Sequence, residues 1–340
     1  MAVISWRFLT SEIAVKRRLT LYYQLEKICG KKLVVGYNLA NGILFCFLAG
    51  AMITVSATAV GIPFDMEMPK LTDTMPNGPT WIIIVLVLGA VISLIASKGY
   101  DTVSKAANWI WGEGGEPFPG QIKYTFWHVF FWSWFANAAM HIGMSDLSVF
   151  RFAKKASSGW TTAAGMYVGH YMAWIAAALI YAVYVQTPEA QALLAQGEAP
   201  NVAPAPLAYN AIGIFGIIAV VLAGWTTANP TIYRAGLAFQ AIMPKASTFW
   251  VTILAGSIAT IAGLFPAFAM KLLDFVALYG FILAPVGAVI VFEHFFHKQA
   301  GIVQNYAEVA NIKFNKSVLL AWGISFGLYY FISVQFNVFL

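Results

Sequence analysis

The stretch "LAGWTTANPTIYRAG", Leu222–Gly236, looks like the end of an apolar helix, yet it carries Thr226, Thr227, Asn229, Pro230 and Arg234 within nine positions. Hydrocarbon surroundings penalise unsatisfied polar groups heavily. Hydroxyls, an amide and a helix breaker in one place therefore point to a task. On a helix, a carbonyl at i and hydroxyls at i+3 and i+4 share one face. Ala223, Thr226 and Thr227 have that spacing, and three neutral, hard oxygens suit a small cation such as sodium if a second helix supplies more. Pro230 has no N–H, so the Thr226 carbonyl four residues back loses its helical partner and needs a ligand, a water or a neighbour. Asn229 can offer its amide to a polar solute. The alternative is a plain kinked helix whose threonine hydroxyls bond back to their own carbonyls.

The rest of the chain explains why that stretch sits in fat. Of 340 residues, 60% are hydrophobic, 16% aromatic and only 10% charged, against roughly a quarter charged in soluble domains. Lipid must be the solvent for much of this surface. The net charge of +6 reads as loop charge facing the cytoplasm and anionic lipid, not as a nucleic-acid footprint. Cys29 and Cys46 are the only cysteines. They give no disulfide framework and no metal cluster, and Cys46, in an apolar run, reads as an inert small hydrophobe.

A membrane-spanning helix needs about 17–25 apolar residues. Such runs lie at roughly 33–61, 80–97, 122–145, 164–186, 207–229, 248–269, 272–296 and 317–340, about eight crossings with no barrel signature. This predicts an all-α polytopic membrane protein. Residues 1–32, with "AVKRRLTLYYQLEKICGKK", read as a basic, amphipathic cytoplasmic lead-in, either against the membrane or as a solvated linker; residues 33–340 form the transmembrane domain. Lys16, Arg17, Arg18, Lys27, Lys31 and Lys32 place the N-terminus inside. The rule then runs into difficulty. If 122–145 crosses outward, Arg151, Lys154 and Lys155 land outside and every later loop inverts. One more crossing between about 103 and 121 restores the pattern, but "DTVSKAANWIWGEGGEPFPG" is too short and polar to supply it.

A second polar constellation occupies "WHVFFWSWFANAAMHIGMSDLSVFRFAKK", Trp127–Lys155. Ser133, Asn137 and Met140 share one helix face, with Trp134 and His141 slightly offset. An aromatic wall beside an amide suits a flat heteroaromatic solute; an interfacial aromatic belt accounts for Trp127 but poorly for Asn137. Asp146 and Arg151 are expected to cap and pair locally. His128, His141 and His170 raise a rival class, a membrane redox or metal enzyme, although no HxxxH set recurs.

Three segments together carry a resemblance. "WTTANPTIYRAGLAFQAI" resembles the eighth helix of the nucleobase–cation symporter family, the purine–cytosine and hydantoin permeases. "NAAMHIGMSDLSVFRFAKK" resembles the end of that family's sixth helix and "ASKGYDTVSKAANW" the exit of its fourth. The resemblance implies a partial LeuT-like inverted-repeat fold that is apparently incomplete: two helices absent at the N-terminus, the fifth, and one at the C-terminus. It implies a cation-coupled secondary transporter at the plasma (inner) membrane, not an enzyme, with no cofactor beyond sodium or protons as the coupling ion, and with a small nitrogenous solute and the bilayer as partners. A non-transporting remnant of such a permease is the alternative. Ala223, Thr226 and Thr227 match the helix-eight half of the family's sodium site. The substrate-binding residues it implies are Trp134, Asn137, Asn229 and Met52. Where many members place a tryptophan and a glutamine on helix three, this chain has Leu48 and Met52, which leaves Trp134 and Asn137 to compensate.

Overall fold

The computed structural model describes residues 3–64, 66–97, 144–197 and 203–336. Among these all regular secondary structure is helical, with no strand. A π-helical stretch, Val3–Thr10, leads into α1 (Ser11–Arg17) and α2 (Leu21–Cys29). The long helices follow: α3 (Lys31–Val60), α4 (Pro79–Ser97), α5 (Ser158–Tyr184), then the short α6 (Pro188–Ala195) and α7 (Pro204–Ile212), and α8 (Ile214–Ile242), α9 (Thr248–Gly263), α10 (Leu272–Phe296) and α11 (Lys316–Phe336). Three segments, Lys31–Phe64, Ser158–Tyr184 and Ile214–Ile242, are long and apolar enough to cross a membrane; α4, α9, α10 and α11 carry shorter apolar stretches. Large apolar side chains stand exposed along α5 and α11, among them Tyr167, Val168, Leu320, Leu328 and Phe331. Exposed apolar side chains of that kind mark a face for lipid or for another protein.

Small residues let the central helices approach closely, the usual device where lipid removes the hydrophobic drive between helices. Helices α3 and α8 run antiparallel. A Cβ on Gly224 of α8 would lie 1.8 Å from Ser56 Oγ, and one on Gly42 of α3 would lie 2.5 Å from Phe239. Helix α9 seats against α3 at Gly50, against α4 where Gly256 meets Ser93, and against α8 where Gly236 meets Thr252. Thr54 adds a hydrogen bond from its hydroxyl to the Gly263 carbonyl, 2.7 Å.

These contacts fix which helix ends share a side. Trp81 donates to the Leu264 carbonyl at 2.8 Å, and Ala267 N–H donates to Asp73 O at 2.9 Å, so the 62–79 loop and the α9–α10 turn lie together on the far side. Helix α4 therefore runs back to the N-terminal side. There Arg18 donates to the carbonyls of Arg151 (2.7 Å) and Ala153 (2.6 Å), and Asn315 N–H donates to Cys29 O at 2.9 Å. Gly30 makes that last approach possible. It has φ +85°, and a Cβ there would stand 2.5 Å from the Lys313 carbonyl carbon, so the chain can turn from α2 into α3 only without a side chain.

The charge rule is thus not inverted after residue 145. Arg151, Lys154, Lys155, Arg234, Lys245, Lys298, Lys313 and Lys316 join the N-terminal cations on one side, while Lys70 and Lys271 lie on the other. Ser97 and Met144 fall on the N-terminal side as well. The expected span 122–145 lies outside the described residues apart from its last two. The span expected at 207–229 is longer than its apolar run: α8 starts after the positive-φ Gly213 and continues to Ile242. The lead-in is folded into the bundle. Ile13, Ala14, Leu21, Tyr22, Leu25 and Ile28 are buried in the main core.

Candidate functional site

Helix α8 is continuous through Pro230, so the expected break is not there. A proline in a helix interior costs about 3 kcal/mol or more. Here the buried face Gly224, Ala228, Ile232 and Ala235, packed on α3, holds the helix through it. Thr231 donates its hydroxyl to the Thr227 carbonyl at 2.7 Å, supporting the turn the proline weakens. Thr226 and Thr227 both donate to the Ala223 carbonyl, at 3.1 and 2.9 Å. This is the backbone-tied arrangement, not an open face of three oxygens. The Ala223 carbonyl already accepts two hydroxyls and is a poor further ligand. The threonine oxygens keep their lone pairs, since a hydroxyl that donates can still accept.

Asn229 is different. It is 1% exposed, and neither its amide nitrogen nor its amide oxygen has a hydrogen-bond partner. The indole N–H of Trp225, one turn away on the same face, is also buried without one. A buried polar group left unpaired costs about 1–3 kcal/mol, so an amide with both ends unpaired is an outlier in a packed bundle. The antiparallel register, Gly224 against Ser56 and Phe239 against Gly42, puts Asn229 at the level of Met52. Met52 is half-buried on α3 and packs against the core. Trp134 and Asn137 lie outside the described residues.

A second polar network was not legible from the sequence. Asp146 does not cap its own helical turn. It pairs with Arg234 of α8 and accepts the indole N–H of Trp6 at 2.6 Å. Arg151 does bond locally, to Ser148 O at 3.2 Å. Tyr22 donates to the Arg234 carbonyl at 3.0 Å and accepts from Asn41 Nδ2 at 2.8 Å. Arg17 faces the buried Glu293 at 3.7 Å, and Lys27 meets Glu308 at 2.5 Å. Burial pushes the Tyr22 hydroxyl up. Burial, with the Glu293 charge, pushes the Cys29 thiol up to about 12. The signal that could have found this network is Arg234 itself: a cation near the end of an apolar helix needs a counterion, and Asp146 is an acid at the matching depth.

A groove of about 680 Å3 between α10 and α11, lined in part by Phe292, Glu293, Tyr306 and Val318, holds none of the residues expected to bind substrate or ion. His128 and His141 lie outside the described residues. Among the described residues no three or more His, Cys, Asp or Glu side chains gather as a metal site would require; His297 Nδ1 is 3.3 Å from Gln304 Nε2. Compared with known proteins, the chain matches no family profile, no curated sequence and no solved structure.

Proposed function

We propose that this chain is the helical bundle of a secondary transporter for a small, flat, nitrogenous solute of the nucleobase kind, moved together with sodium or protons. The observation that carries this is Asn229: an amide sealed into a membrane-length helix with donor and acceptor both unspent. A heterocycle edge with adjacent N–H and C=O groups is complementary to it, and the Trp225 indole N–H adds a donor one turn away. Such a group is costly to keep unless a ligand uses it.

The resemblance to nucleobase–cation symporters supplies the mechanism, a LeuT-like inverted repeat with alternating access around a mid-membrane site. The cations on the N-terminal side orient that side to the cytoplasm of the plasma (inner) membrane. Thr226 and Thr227, their hydroxyl protons held by the Ala223 carbonyl, keep lone pairs and remain the ion ligands of this proposal. Uptake of labelled cytosine, uracil and adenine into proteoliposomes, with and without a sodium gradient, tests it. Thr226→Ala with Thr227→Ala is expected to remove the sodium dependence; unchanged dependence refutes the ion assignment.

A further inference from the structure

A layer of polar side chains on α3 lies apart from Asn229. Tyr37, Asn38 and Asn41 are 3%, 1% and 0% exposed. The Tyr37 hydroxyl, the Asn38 amide oxygen and the Asn41 amide oxygen have no hydrogen-bond partner. The orientation of Asn41 follows from its neighbours. Tyr22 spends its only proton on the Arg234 carbonyl, so its oxygen must accept, and Asn41 must present its NH2 group. The Asn41 oxygen is left as an acceptor with no donor. Eleven residues separate Asn41 from Met52, about 16 Å along the helix, so this layer lies nearer the N-terminal side than the Asn229 level.

The unspent groups define what fits. Two amide oxygens can only accept, and the Tyr37 hydroxyl can also donate. The charged group at the Tyr22 end of the layer is matched, Arg234 with Asp146. We infer that Tyr37, Asn38 and Asn41 form an inner hydrogen-bonding station for a neutral polar molecule arriving from or leaving to the N-terminal side, covered by the tie from Trp6 through Asp146 and Arg234 to Tyr22. The station rests on the transport reading as the inner stop of the route that passes Asn229.

The test is thiol labelling in membrane vesicles with the neutral reagent hydroxyethyl methanethiosulfonate. Asn38→Cys is compared with Ile53→Cys, an apolar position on the same helix that is 0% exposed. Each is made in the parent chain and in chains whose cover is cut by Asp146→Asn or by Trp6→Phe. Trp6→Phe keeps an aromatic side chain and removes the indole donor together with part of the ring volume, so it serves where the charge substitution does not fold. Cutting the cover is expected to speed labelling of Asn38→Cys at least tenfold, with Ile53→Cys and the native cysteines still unlabelled. An unchanged rate at Asn38→Cys, or an equal rise at Ile53→Cys, overturns the inference. Uptake plays no part in this readout. The expected labelling in a chain that moves no solute retains a covered polar station and removes only the transport reading.

Discussion

Asp146 and Arg234 stand 88 residues apart in sequence and form an ion pair at the N-terminal side of the bundle. The pair joins the turn that follows residue 143 to the end of α8, and Trp6 joins the N-terminal segment to both. Both side chains are largely buried. Removing one partner of a buried pair leaves an uncompensated charge and typically costs about 3–5 kcal/mol, whereas replacing both with apolar residues can be nearly neutral. Asp146→Leu alone is expected to lower the melting temperature in detergent sharply. Asp146→Leu with Arg234→Met is expected to recover most of the loss. Equal losses in the single and double variants would show that the pair contributes nothing as a pair.

Helix contact at glycine is the second point to probe. Gly224 has no room for a side chain beside Ser56, while nothing lies within 4 Å of a Cβ built on Gly36. Both are helical. Gly36→Ala is expected to stabilise by up to about 1 kcal/mol through helix propensity. Gly224→Ala is expected to destabilise, by about 1–3 kcal/mol if the overlap is absorbed as other overpacked sites absorb it. Parallel thermal melts of the two variants decide this.

The cysteines give a pH-dependent readout. Cys29 is buried and its thiol is pushed up to about 12, and Cys46 is fully buried. The thiolate is the form that attacks maleimide, so neither is expected to react at pH 7–8 in the folded chain, and both are expected to react once it is unfolded. The sign of the linkage follows. Above the ordinary thiol value near 9 the unfolded chain loses the Cys29 proton while the folded chain keeps it. The Cys29 contribution to stability is therefore whole below about pH 9, falls as pH rises and levels off near 12. Cys29→Ala is expected to flatten that part of the pH–stability curve. An identical alkaline decline in both chains removes the thiol as a cause.

Much of the fold was legible in the sequence because hydropathy alone sets which segments can lie in lipid. The runs at 33–61, 80–97 and 272–296 became α3, α4 and α10 within one or two residues. The length of α8 was not legible, because residues 230–242 mix proline, arginine and small residues whose helical state depends on packing against α3. At the site, Asn229 was readable as an amide placed where hydrocarbon tolerates none. The backbone bonds of Thr226 and Thr227 were not, because spacing gives a shared face but not the direction in which a hydroxyl donates. Asp146 read as a local cap, since its partner Arg234 comes within reach only once two distant segments fold together.

The most direct measurement is solute uptake and melting temperature on the same pair of proteins, the parent chain and Asn229→Leu, in proteoliposomes and detergent. Leucine keeps the branched side-chain shape and removes the unpaired amide, so the substitution is expected to raise the melting temperature by a few degrees while abolishing uptake of the labelled nucleobase. A residue kept at a cost to stability for the sake of binding behaves in this way. Uptake that survives in Asn229→Leu, or a parent chain that carries none of the nucleobases offered, contradicts the account.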